Sequence, residues 1–109
     1  MSANGRRGEI EAELDGRPRR LCLTLGALAE LEAAFAASDL SALVARFSTG
    51  KLSATDMIRV IGAGLRGAGE TIDDNEVGRM AVAGGAAGYA AIVADLLTAT
   101  FGAGQRENP

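Results

Sequence analysis

The sequence predicts an α+β fold that is mainly α, an N-terminal β-hairpin followed by about five short helices. Three observations carry this. Apolar and polar residues alternate strictly on both sides of Asp15-Gly16. From Leu25 onward the apolar period lengthens to that of a helix. Cap residues and glycines then cut the remaining chain into short helical pieces.

In the first segment, residues 9–14, Ile10, Ala12 and Leu14 alternate with glutamates. In the second, residues 20–25, leucines occupy the odd positions. A period of two marks strands buried on one face. Asp15-Gly16 is a strong turn signal, because Gly takes positive φ without a steric penalty. A two-residue loop pairs Leu14 with Arg17 and Ile10 with Leu21. A four-residue loop, Asp15 to Pro18, pairs Leu14 with Arg19. Both keep the leucines on the face of Ile10 and Leu14, whereas a change of one residue would separate them. The opposite face sets Glu9, Glu11 and Glu13 against Arg20, a solvated charge pattern.

The first predicted helix carries Leu25, Leu28, Leu31 and Phe35 at helical spacing, with Thr24 as its N-cap. The second carries Leu40, Leu43, Val44 and Phe47, with Ser38 as cap and Gly50 suited to the position after the C-cap. Ser53-Ala54-Thr55-Asp56 reads as an acidic capping box. The helix it opens is expected to bury Met57, Ile58, Ile61 and Leu65, and to be weakened at its end by Gly62, Gly64, Gly67 and Gly69. Asp73 and Glu76 form a second box, before inward-facing Val77 and Met80, and Gly84-Gly85 stops that helix. The last helix holds Tyr89, Ile92, Val93, Leu96, Leu97 and Phe101. These elements make a single domain, residues 8–101, between a polar arm (1–7) and a polar tail (102–109), both expected to be disordered. A two-stranded hairpin is marginal alone in water, so it must pack its leucines on the helices or take strands from another copy. Its edge is therefore a candidate contact for a homo-oligomer.

Composition excludes several chemistries. The 109 residues contain no His and one Cys, which rules out His-based catalysis, His metal sites and an intrachain disulfide. Aromatic residues make up 4%, too few for a base-stacking platform, and a net charge of −3 argues against general nucleic-acid binding. No apolar segment follows the polar N-terminus and no continuous apolar run reaches the length of a membrane span. The expectation is a soluble, cytoplasmic protein.

Five local patterns raise the question of a site. Gly62-Ala63-Gly64-Leu65-Arg66-Gly67 matches the G-x-G-x-x-G of dinucleotide-binding folds, but it follows a helix cap instead of a strand and no βαβ unit surrounds it. It reads as a helix packed closely through its glycines. Ser48-Thr49-Gly50-Lys51 lacks the spacing of a phosphate loop and reads as a turn. Cys22 has no His partner to activate it. Asp73, Asp74 and Glu76 lack the ordered spacing of a calcium loop, and capping explains them. Arg17, Arg19 and Arg20, with Arg6 and Arg7, would make a basic patch that the four acids of residues 9–15 largely cancel. No catalytic residue, cofactor or metal ligand is assigned. The residues describe a binding or assembly module.

The run Leu23-Thr24-Leu25-Gly26-Ala27-Leu28-Ala29-Glu30-Leu31-Glu32, behind Leu14-Asp15-Gly16, resembles the gene transfer agent family of small phage-like tail proteins. Leu52-Ser53, Gly64-Leu65-Arg66-Gly67-Ala68-Gly69 and the Ala-rich end with Leu96-Leu97 and Phe101 extend the likeness over about residues 8 to 101. That family is grouped with phage tail assembly chaperones and is also labelled a tail tube protein. The resemblance implies a non-enzymatic chaperone that binds the tape measure protein and assists assembly with the tail tube protein. Its alternative is a structural tail component retained in the particle. A dinucleotide-binding enzyme is the third reading weighed. For the chaperone, the expected partner-binding residues are Leu28, Leu31, Phe35, Leu40 and Leu43, lining apolar grooves on short helices.

Overall fold

A computed structural model describes residues 8–102, so the expectations for the arm 1–7 and for tail residues 103–109 lie outside the described residues. The hairpin consists of β1 (Glu9–Leu14) and β2 (Arg17–Cys22), paired antiparallel. The register is that of the two-residue loop, with Leu14 opposite Arg17 and Ile10 opposite Leu21. Asp15 at φ 59° and Gly16 at φ 80° form the turn, the left-handed pair that matches the twist of the flanking strands. The second strand thus begins at Arg17, earlier than its alternation predicts, and ends at Cys22, because Thr24 is already a helix cap. Among the described residues no further strand follows.

Five helices follow. α1 (Leu25–Ala34) starts at Thr24, whose hydroxyl accepts a hydrogen bond from the Ala27 N–H at 3.1 Å. Its buried side chains are Ala27, Leu28 and Leu31. Leu25 is 76% exposed, contrary to the expected stripe. At ~100° per residue it sits roughly 110° from the direction shared by those three. α2 (Leu40–Ser48) is capped by Asp39, one residue later than Ser38, the residue expected to cap it; the Asp39 carboxylate accepts from the Ala42 N–H at 2.9 Å. Gly50 follows the C-cap with φ 72°, as expected.

α3 (Ala54–Gly67) has the predicted capping box: Ser53 Oγ accepts from the Asp56 N–H, and Asp56 Oδ2 accepts from the Ser53 N–H. Its burial differs from the expected stripe. Val60, Ile61, Gly62, Ala63, Gly64 and Leu65 are all buried, while Met57 and Ile58 are only half-buried. Residues 60–65 are buried on every side, as in a central helix, and α3 packs against β2, α1, α4 and α5. Its glycines permit this without ending the helix. A Cβ on Gly64 would lie 2.8 Å from Leu96 Cδ2 and 3.2 Å from Leu21 Cβ, and one on Gly67 would run into the Cys22 carbonyl oxygen.

α4 (Asp74–Gly78) carries the Asp73/Glu76 capping box and buries Val77. It ends at Gly78, well before the Gly84-Gly85 pair expected to stop it, so residues 79–84 form a loop. α5 (Gly85–Leu97) buries Ile92, Val93 and Leu96 and runs into a π-helical turn, Thr98–Gly102, where the Thr100 hydroxyl donates to the Leu96 carbonyl. No continuous apolar run is long enough to span a membrane, yet the helical stretch Gly85–Gly102 is, by length and composition, with a mean hydropathy of 1.2 over 18 residues. Only 17% of it is buried, and the residues it exposes are mostly alanine.

The core joins Leu14, Leu21 and Leu23 of the hairpin region to the inner faces of all five helices. Arg66 ties the outer shell together: its guanidinium pairs with Glu30 of α1 and with Asp74 of α4, and donates to the Ile72 carbonyl at 3.0 Å.

Candidate functional site

The expected partner-binding residues divide between the interior and the surface. Leu28, Leu31 and Leu43 are 7%, 1% and 0% exposed and belong to the core. Phe35 is half-buried, its ring edge-on to Phe47 with centroids 5.5 Å apart and the Arg46 guanidinium 5.4 Å above it. Leu40 is exposed at the start of α2. The five do not line one open groove.

The other patterns are absorbed by structure. Gly62, Gly64 and Gly67 lie inside α3 facing Asp74, Leu96 with Leu21, and the Cys22 carbonyl, so protein fills the space that a pyrophosphate would need. Thr49 in the turn after α2 donates to the Arg46 carbonyl and accepts from the Lys51 N–H. Burial and the charge of Glu9 push the Cys22 thiol above its ordinary pKa, the opposite of activation. Asp73 caps α4 and Asp74 pairs with Arg66. Among the described residues no cluster of His, Cys, Asp or Glu could hold a metal ion.

An open apolar surface lies elsewhere, where the loop 79–84 passes between α3 and α5. Two pins hold that loop. The backbone N–H of Asp15 donates to the Ala81 carbonyl at 2.7 Å, and the Asp15 carboxylate accepts from the Ala81 N–H at 3.3 Å. From the other side, the Tyr89 hydroxyl lies 2.9 Å from the Val77 carbonyl oxygen and 2.7 Å from that of Met80, and donates its one proton between them. Burial and the nearby Asp15 carboxylate raise the pKa of that hydroxyl.

The pinned loop leaves a groove of about 430 Å³ lined by Met57, Ile58, Met80, Val82, Ala86 and Tyr89, among others. Its side chains are apolar except for the Tyr89 hydroxyl, which is directed at the backbone. Such a surface has no proton-transfer group or nucleophile to offer, but it can take up apolar side chains, and methionines adapt to differing shapes. Beyond Met80 the groove meets a polar cleft of about 390 Å³ containing Asp15, Arg17, Arg19, Glu70, Glu76 and Arg79. Sequence reasoning placed Met57, Ile58, Met80 and Tyr89 in apolar stripes and expected all to face inward. The signal for a groove was the composition of residues 78–86, which pair Met80 and Val82 with only Gly, Ala and one Arg.

Residues 7–103 match the family described as phage tail tube protein, GTA-gp10. No curated protein and no solved structure is significantly similar to the chain.

Proposed function

From the premise that the chain belongs to the phage tail tube protein family GTA-gp10, we propose that it is a tail assembly chaperone. In this reading it binds the tape measure protein, holds its apolar helical stripes out of water, and releases them as tail tube subunits assemble. It does so in the cytoplasm and without catalysing a reaction. The single observation that carries the proposal is the groove over Met57, Ile58, Met80 and Val82, an uncovered apolar surface held open by hydrogen-bonded pins. Contacts of this size are weak one at a time, which suits release, and many copies along one tape measure supply avidity. The hairpin edges, each without a further strand beside it among the described residues, would link neighbouring copies.

Co-expression with the tape measure protein tests this. The chain should copurify with it, and Ala86→Glu, at an exposed rim position, should abolish copurification while leaving the circular dichroism spectrum unchanged. Copurification unaffected by Ala86→Glu would move the contact elsewhere. The family description favours a second reading, a structural component retained in the tail. Quantitative mass spectrometry separates the two: a chaperone is abundant in the lysate and missing from particles, whereas a structural component is present in many copies per particle.

A further inference from the structure

The polar cleft at the end of the groove is not symmetric in what it offers a partner. Each of its carboxylates already has a donor within the fold: Asp15 accepts from the Ala81 N–H, Glu76 from the Asp73 N–H at 3.3 Å, and Glu70 from Arg19 at 2.8 Å. Arg19, with a side chain only 12% exposed, is thereby occupied as well. Arg17 and Arg79 are exposed, and among the described residues neither guanidinium makes a hydrogen bond or an ion pair. The formal charge of the cleft is balanced, but the groups left available are two cations. Both stand in the cleft that shares Met80 with the apolar groove, whose remaining lining is uncharged.

We infer that the groove receives the apolar face of an amphipathic helix from a different protein, and that this helix carries a carboxylate beside its apolar stripe for Arg17 and Arg79 to bind. The inference rests on the reading of the groove as a docking site for a tail protein and adds the chemistry of its occupant. A guanidinium fork favours a carboxylate by both charge and geometry. A second copy of this chain does not fit the description. The large apolar side chains exposed among the described residues are Leu25 and Leu40, which stand on different helices and form no stripe, and the exposed face of α5 is mostly alanine, with no large apolar side chain to fill the groove. Residues 1–7 and 103–109 do not fit either, since Met1 is their single large apolar side chain.

The test uses fluorescence polarisation with synthetic helical peptides about five turns long. All carry the same leucine stripe, flanked at one end by two glutamates or by two lysines, and each pair is made with the charges at either terminus. One glutamate peptide should bind the full chain about tenfold more tightly than its lysine counterpart at low salt, with the margin shrinking at high salt. Arg17→Glu with Arg79→Glu should reverse the preference, and Arg17→Gln with Arg79→Gln should level it without introducing repulsion. Equal binding of both peptides, a preference unchanged in these variants, or no binding of any peptide would overturn the inference. The tape measure reading fails separately: peptide preference intact with no tape measure copurification would retain the groove chemistry and reject that partner.

Discussion

Replacing glycines by alanine tests whether the glycines of α3 are there for packing. In an open helix Gly→Ala stabilises, by up to about 1 kcal/mol in the interior. Gly26 in α1 is such a site, since its added Cβ would meet only Thr24 Oγ1 at 3.9 Å. Near the helix start the gain should be roughly 0.5 kcal/mol. At Gly64 the new methyl meets Leu96 Cδ2 at 2.8 Å and Leu21 Cβ at 3.2 Å, both side chains being fully buried. Overpacking costs about 1–3 kcal/mol, so after the helical gain the net loss is roughly 0–2 kcal/mol. At Gly67 the obstacle is the Cys22 carbonyl, with Thr24 Oγ1 at 3.3 Å beside it. A carbonyl cannot rotate aside as a leucine can, so α3 must separate from the end of β2. Gly67 is the last residue of α3, where helical propensity contributes little. The expected net loss is therefore about 2–3 kcal/mol, or roughly 8–20 °C in Tm for a domain of this size. Urea titration followed by circular dichroism measures all three variants. The expected order of stability is Gly26→Ala, then Gly64→Ala, then Gly67→Ala. A Gly67→Ala protein as stable as the parent would refute the close-packing account and reopen the question of what these glycines serve.

Tyr89→Phe should cost about 0.5–1.5 kcal/mol by removing the hydroxyl shared by the Val77 and Met80 carbonyls, and should speed amide hydrogen exchange at Ala81 and Val82. Asp56 supplies a pH dependence. Burial pushes its carboxyl pKa up, but the Ser53 N–H and the Arg46 charge outweigh that and hold it below the ordinary value. A depressed carboxyl pKa contributes stability above the unfolded-state pKa of about 3.9, and that contribution is lost as pH falls through the lower folded value. The stability gap between the parent and Asp56→Asn, read from urea midpoints, should therefore be larger at neutral pH than in acid. Leu28→Glu would bury a carboxylate in the core and should abolish the cooperative unfolding transition, so it reports on folding and not on docking.

The hairpin was legible because two independent signals agree on it: the period-two pattern gives the buried face and Asp15-Gly16 marks the turn, while the choice between a two- and a four-residue loop, which leaves the same face buried, came from the structure. Both capping boxes were legible because they are local chemistry within four residues. The α2 cap moved from Ser38 to Asp39 because adjacent residues both qualify and only the following turn decides between them. The burial of α3 was legible only in part: Thr55, Arg59 and Arg66 mark a polar side, but Gly62, Ala63 and Gly64 carry too little side chain to announce that residues 60–65 are covered all round. The candidate site failed to appear for a related reason. Periodicity identifies the apolar side of a helix and is silent on whether that side meets the chain's own core or another molecule. Leu28, Leu31 and Leu43 are needed to build the core of this small domain. Met57, Ile58 and Met80 carry equally apolar side chains and remain half-covered, because only an Ala- and Gly-rich loop is available to lie over them.

That loop links the fold to the proposed activity. Residues 79–84 form no regular element, and only Met80 and Val82 among them pack against the core, so hydrogen bonds add to packing in setting where the loop lies. These bonds come from opposite directions, Asp15 at the hairpin turn and Tyr89 on α5. The turn needs a residue that tolerates positive φ, which Asp does, and Asp also supplies the carboxylate that receives the Ala81 N–H. The shape of the groove thus depends on hydrogen bonds made by Asp15, outside it, and by the hydroxyl of Tyr89, whose ring lines it. Stability and docking should then separate experimentally. Changes at the pins alter loop protection first and binding as a consequence, whereas Ala86→Glu at the rim alters binding with stability unchanged. A surface that was merely an unfilled part of the core would show the opposite coupling, because a change at its rim would disturb packing and stability together.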